Sequence, residues 1–252
     1  MSFEVAARSY DQFMGRYSVL LAPQLADLAG VRSGQRVLDV GCGPGSLTAE
    51  LVSRVGAANV AAVDPSESFV AAASTRHPGV EVVRAWAEQL PFADGAFDVA
   101  LAQLVVHFMA DPVAGLAEMA RVTRLGGVVA TCVWDHAGGL GPLELFWNEA
   151  RALAPEVDDE SVRPGTREGH LEELFEAAGL HEIEASTLSV SLEHESFEAW
   201  WQPFTNGVGP AGSFVAGLDP ERQAALREAC RSRLPTGRFE VTALAWAARG
   251  IA

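Results

Sequence analysis

Apolar positions along the chain fall into short runs that alternate with stretches of helical spacing. Residues 37–40 (VLDV) read as a short strand buried on both faces. A glycine-rich turn follows, and Leu47, Leu51, Val52 and Val55 then recur at helical spacing behind Ser46, which is placed as an N-cap. The same alternation repeats. Residues 59–63 form a second apolar run ending in Asp64, after which Pro65 and Ser66 open a helix to about Thr75. Residues 80–85 and 97–103 read as third and fourth strands, and Asp111-Pro112 is a helix start carrying Leu116, Met119, Ala120 and Val122 on one face. Leu125-Gly126-Gly127 ends that helix, and residues 128–134 form a fifth strand.

Beyond residue 139 the pattern changes. Helices are expected over 143–153 and 167–178, separated by an acidic loop at 156–160. Residues 180–190 and 239–248 alternate apolar and polar, the pattern of a half-exposed antiparallel pair at a sheet edge. Between them, residues 196–235 hold two helical stretches broken by Gly207, Gly209 and Gly212. At the other end, Leu20, Leu21, Leu25 and Leu28 mark an amphipathic helix, preceded by a less regular segment with Tyr10, Phe13, Gly15, Arg16 and Tyr17. The expected fold is therefore α/β: a doubly wound, Rossmann-like sheet, mostly parallel with an antiparallel edge strand, plus a helical lid or cap. One domain spans 1–252, with N-terminal helices at 1–29, the sheet core at 30–190 and 236–252, and a cap insertion at 191–235.

The candidate chemistry sits in VLDVGCGPGS. A strand, a glycine turn (Gly41-Cys42-Gly43-Pro44-Gly45) and a helix are the setting in which an open α/β sheet presents backbone N–H groups to a ligand. Asp64 follows at the end of the next strand, 19 residues past Gly45, where a carboxylate can accept hydrogen bonds from both hydroxyls of a ribose. A nucleoside-type cofactor is the expectation. The turn is G-x-G-x-G preceded by Asp39, and it lacks the third glycine of the dinucleotide fingerprint.

With VLDVGCGPGSLT, Asp64, AEQLPFADGAFDVAL and EMARVTRLGG in order, the chain resembles the class I S-adenosylmethionine-dependent methyltransferases, in particular the small-molecule branch of the ubiquinone/menaquinone-biosynthesis type. The resemblance covers roughly residues 8–135. It implies S-adenosyl-L-methionine as cofactor, with Asp39, Gly41, Cys42, Gly43, Gly45, Asp64, Pro65, Ser66, Ala87, Glu88 and Gln103 around it. It also implies that the N-terminal segment folds over the cofactor, Tyr10 at its rim and Arg16 toward the methionine carboxylate. Relatives often carry a small acidic residue, which receives the adenine amino group, where this chain has Trp86. Glu88, a backbone carbonyl or stacking by Trp86 are the alternatives. His107 stands where many relatives have a histidine beside the transferred methyl group, and is the candidate catalytic residue.

Composition narrows the function. Formal net charge is −15, and all 18 basic residues are arginine. So acidic a chain disfavours nucleic acid as a partner; a small-molecule methyl acceptor is what the resemblance implies. Three separated cysteines, Cys42, Cys132 and Cys230, imply a reducing compartment, and no metal-ligand spacing links them to the histidines. No leader pattern and no apolar run of membrane-spanning length is present, so the expectation is a soluble cytoplasmic protein with no membrane partner. Trp134, Phe146, Trp147, Trp200 and Trp201 suggest an apolar or aromatic acceptor pocket, with core packing expected for at least half of them. Two other classes stay open. One is a non-catalytic S-adenosylmethionine-binding protein. The other is an NAD-dependent oxidoreductase, disfavoured by the missing glycine and by the absence of any lysine for a Tyr-x-x-x-Lys pair.

Overall fold

Among the described residues, seven strands form one sheet in the order β3-β2-β1-β4-β5-β7-β6. The computed structural model describes residues 7–252. In chain order the elements begin with α1 (Ala7–Tyr10), a π-helical turn (Asp11–Gly15), α2 (Arg16–Leu28), β1 (Val37–Val40), α3 (Ser46–Val55) and β2 (Val60–Asp64). There follow α4 (Glu67–Arg76), β3 (Glu81–Arg84), β4 (Phe97–Gln103), α5 (Pro112–Val122), β5 (Thr123–Trp134), α6 (Glu144–Leu153) and α7 (His170–Ala177). The last are β6 (His181–His194), α8 (Phe197–Trp201), α9 (Gly209–Gly217), α10 (Pro220–Arg233) and β7 (Phe239–Ile251).

The first five strands pair in parallel, and β7 runs antiparallel to both β5 and β6. The alternating segments at 180–190 and 239–248 thus pair with each other as expected. The reversed strand lies one place in from the edge, and β6 is the outermost strand. Strand order reverses between β1 and β4, so the crevice outside their carboxyl ends is where an open α/β sheet takes ligands.

Period-two alternation decides which residues face which layer. Val37 faces the cluster built by α2 and α3, whereas Leu38 and Val40 face α5 and α7. Asp39 falls on the α3 side and is buried there. A third cluster belongs to the cap: Phe146 and Trp147 of α6, Phe197, Trp200 and Trp201 of α8, with Phe204, Ala211, Val215, Leu226 and Cys230. Phe13 from the N-terminal segment joins it, 5.0 Å from Phe204 edge to face. Each fully buried ring of this kind contributes about 1.5–3 kcal/mol by burial.

Several local expectations are corrected. Ser46 is the first residue of α3 rather than its cap, because Gly45 takes the N-cap position with φ 103° and no side chain caps the helix. A Cβ on Gly45 would meet His77 Nε2 at 2.4 Å, so a side chain at this N-cap would have to displace the His77 ring. β5 starts at Thr123, five residues earlier than the apolar run: Thr123 pairs with Phe97 before a register shift around Asp98. The cap holds three helices and a 3-10 turn (Gln202–Asn206) where two helical stretches were expected. The irregular N-terminal segment is the π-helical turn, whose widened backbone joins two α-helical pieces. Other caps match the sequence: Ser66 accepts from Phe69 N (3.4 Å) and Asp111 from Ala114 N (3.0 Å).

Candidate active site

One cavity of about 860 Å³, part of it open to solvent, lies across the carboxyl ends of β1, β2, β4 and β5. At one end its wall is Gly41, Gly43, Asp64, Pro65 and Phe69; at the other it is His107, Phe108, His136 and Glu160, with Val208 to Ala211 from the cap above. Tyr10, Phe13 and Met14 close it from the N-terminal side.

The end lined by Gly41, Gly43 and Asp64 is built from β1 and β2. Gly41 N and Cys42 N both donate to Val63 O (2.8 and 2.9 Å), folding the turn back onto β2. Asp64 Oδ2 accepts from Gly43 N at 2.9 Å and Asp64 Oδ1 from Ser66 N at 2.8 Å. The carboxylate is therefore held in place on the cavity wall by two backbone donors. Gly41 has φ 72°, and a Cβ there would meet Val105 Cγ2 at 2.4 Å, so close approach to the β4 loop demands glycine. Leu104, also on the wall, adopts φ 60° without being glycine, a strained backbone at the end of β4.

Gln103 is buried on the wall. Its Nε2 donates to Ser18 O at 3.0 Å, tying α2 to β4, while its Oε1 is buried with no hydrogen-bond partner. Tyr10 lies edge to face with Phe69 (5.5 Å), and burial, seconded by the nearby Asp64 charge, pushes its hydroxyl up to about 12.

At the other end, His107 Nε2 lies 3.9 Å from Glu160 Oε1, and the His107 and His136 rings are 6.1 Å apart. Burial is the main cause of each shift here. It holds His107 well below the usual histidine range, brings His136 down to about 4 and raises Glu160 to about 7.

Of the residues singled out in the sequence, the cavity brings together Tyr10, Gly41, Gly43, Asp64, Pro65, Gln103 and His107. The others stand behind it or apart. Asp39 Oδ2 accepts from Thr48 Oγ1 (2.6 Å), and burial raises its carboxyl to about 7. Cys42 packs against Ala62 and Ala73. Gly45 and Ser66 begin α3 and α4. Ala87 packs in the α5-side core. Glu88 Oε1 accepts from Ala110 N and Asp111 N (2.8 and 3.2 Å). Trp86 is 64% exposed. Arg16 donates to Glu193 O (3.3 Å) and lines a separate small pocket with Tyr17, Trp200 and His194. Among the five aromatics expected at an acceptor pocket, Trp134 lines the cavity; Phe146, Trp147, Trp200 and Trp201 pack in the cap core.

His136 and Glu160 escaped the sequence reading. His136 had a signal, since it lies two residues past β5 as His107 lies four past β4, and these strands are neighbours. Glu160 had none, being one carboxylate in an acidic loop that reads as solvated.

The chain matches the family described as "Methyltransferase domain" over residues 38–131. It is 37% identical over 129 residues to a demethylmenaquinone methyltransferase of Beutenbergia cavernae, covering 50% of this chain and 53% of that one. The chain thus spans about half the length of that relative. It is 30% identical over 246 residues to an uncharacterized protein of Mycobacterium bovis, covering 91% of this chain and 86% of that one. Among solved structures, phosphoethanolamine N-methyltransferase 2 of Haemonchus contortus, in complex with phosphomonomethylethanolamine and S-adenosylhomocysteine, superposes with TM-score 0.58 at 17% identity. That match covers 97% of this chain and 56% of the other, and it shows a shared fold. The chain belongs to the class I S-adenosylmethionine-dependent methyltransferases. Among the described residues, no helix is long and apolar enough to cross a membrane.

Proposed function

We propose that this chain transfers a methyl group from S-adenosylmethionine to a small apolar or aromatic acceptor bound in the outer half of the cavity. The carrying observation is that one continuous space joins the glycine turn and Asp64 to His107 and the cap. The residues present fit the cofactor. Gln103 Oε1, buried and unpartnered, is an acceptor waiting for a donor such as the methionine ammonium, and Asp64 offers lone pairs to ribose hydroxyls. Asp64 lines the cavity and, among the described residues, no arginine does, a balance that suits a cationic ligand.

Bound there, S-adenosylmethionine supplies a methyl group on a positively charged sulfonium, and the transfer is an in-line displacement. The chain's own part is to position the acceptor and to exclude water. Tyr10, Phe13 and Met14 cover one side; Leu143 and Val208 to Ala211 cover the other. Trp134 Nε1 donates to Met14 Sδ (3.2 Å), fastening the N-terminal cover to the end of β5. His107, on the wall at the acceptor end, is placed to face the acceptor's nucleophilic atom.

Transfer of labelled methyl from S-adenosylmethionine to a panel of phenols, carboxylic acids and amines tests the reading. Activity on at least one class is expected, with His107→Ala lowering kcat and leaving S-adenosylhomocysteine affinity unchanged. Tight cofactor binding with no transfer to any class would leave a binding protein instead.

A further inference from the structure

At the acceptor end, three ligand-type side chains converge from three separate segments. His107 stands in the 3-10 turn after β4 (Val106–Phe108), His136 in the turn after β5, and Glu160 at the end of the acidic loop. All three are buried and all three line the cavity. One ligand atom from each lies within 4.8 Å of the others. The sequence, read for cysteine–histidine spacing, held no sign of such a site.

The trio is not held together by its own hydrogen bonds. At 3.9 Å, His107 Nε2 and Glu160 Oε1 are too far apart for one. His107 Nδ1 and His136 Nδ1 are both buried with no hydrogen-bond partner. Neither ring is fixed by a hydrogen bond at that nitrogen. Ligand atoms around a tetrahedral zinc, at about 2.0–2.2 Å from the metal, sit roughly 3.3–3.6 Å apart. The separations here, within 4.8 Å, exceed the upper end of that spacing by about 1 Å at most.

We propose that His107, His136 and Glu160 bind one divalent transition-metal cation at the acceptor end of the cavity, and that the cation's remaining positions take an oxygen donor of the methyl acceptor. Two imidazoles and one carboxylate are a donor set used by catalytic zinc, and three protein ligands leave a position open. Burial keeps both histidines neutral, the form that ligates, and a cation would return the buried Glu160 to its carboxylate form. Arg163 also bears on the site, and its guanidinium opposes a cation. It lies over the Phe108 ring (5.3 Å) and 3.9 Å from Asp158, while Asp159 adds negative charge beside His136. The cation site stands on this geometry alone; the oxygen-donor clause rests on the proposed methyl transfer.

The test is equilibrium dialysis of the full chain, stripped with EDTA, against zinc chloride, read by elemental analysis. One equivalent is expected for the unaltered protein, with affinity falling about 100-fold or more in Glu160→Gln and in His136→Ala. Glu160→Gln is nearly isosteric, and circular dichroism reports whether each variant is folded. Cobalt(II) absorption of the unaltered protein needs no variant: bands of a four- or five-coordinate site without thiolate charge transfer are expected. Well under half an equivalent of zinc, undiminished binding in both folded variants, or a thiolate band would each overturn the site. S-adenosylhomocysteine titrated into the same samples separates the two readings. Cofactor binding without zinc overturns the metal site alone. Zinc without cofactor binding upholds the site and overturns the acceptor clause together with methyl transfer.

Discussion

Gly43 N donates to Asp64 Oδ2 across 2.9 Å, joining the turn after β1 to the last residue of β2. The carboxylate that faces the cavity is thus the same group that fixes the glycine turn beside it. One interaction fixes both the carboxylate's position and the loop's geometry.

Asp64→Asn should therefore act twice. The amide presents an N–H₂ group to Gly43 N–H or Ser66 N–H, so one backbone donor loses its acceptor. A charge-assisted bond to a ribose hydroxyl, worth about 1.5–3 kcal/mol, is lost as well. Calorimetric titration with S-adenosylhomocysteine should show affinity weaker by about 10- to 100-fold. An unchanged affinity in the folded variant would remove Asp64 from the cofactor site.

Gln103→Met separates stability from binding. Losing the bond to Ser18 O removes about 1 kcal/mol, but losing the unpartnered buried Oε1 relieves a penalty of similar size. Thermal unfolding without cofactor should change little, while cofactor affinity falls about tenfold. A large drop in Tm with affinity intact would make Gln103 a purely structural anchor of α2.

Asp39 gives a pH signature. Its carboxyl is raised from 3.8 to about 7, chiefly by burial, so between those values the folded chain keeps a proton that the unfolded chain has lost. Stability is then fully present at and below about pH 4 and falls as pH rises toward 7, by at most about 1.4 kcal/mol per pH unit. Asn at this position still accepts from Thr48 and carries no charge. Urea unfolding from pH 4 to 8 should show the Asp39→Asn variant gaining on the parent chain as pH rises. Parallel curves would mean that Asp39 is ionised throughout.

The N-terminal segment and the cap should order together. Phe13 packs against Phe204, and both border the same cavity or its neighbouring pocket. Hydrogen exchange of residues 8–20 and 196–215 is expected to slow in both when S-adenosylhomocysteine binds. Phe13→Ala, which removes the shared ring, should keep the gain in the second segment and lose most of it in the first. Equal exchange with and without cofactor would identify both as fixed structure.

Much of this was legible in the chain itself. Strand runs at β1, β2 and β4, the caps Ser66 and Asp111, and the alternating β6 and β7 follow from local periodicity and hydrogen-bonding chemistry, which act over a few residues. The glycine turn and Asp64 were legible for the same reason, since strand ends and tight turns are locally encoded.

The fate of Arg16 and Glu88 was not. A long side chain settles on whichever acceptor the fold brings near, here Glu193 O for one and the backbone before α5 for the other. Nor could the aromatics of the cap be sorted into core and cavity wall, because helical spacing states which residues share a face and not what that face meets. Sequence alone determined a doubly wound sheet with a glycine turn at its switch point, because backbone propensity and apolar period specify elements and their order. Only the tertiary structure decided that His107, His136 and Glu160 share one buried space. Their meeting depends on how far three loops of unrelated sequence fold over the ends of β4 and β5, a long-range packing outcome that no local pattern encodes.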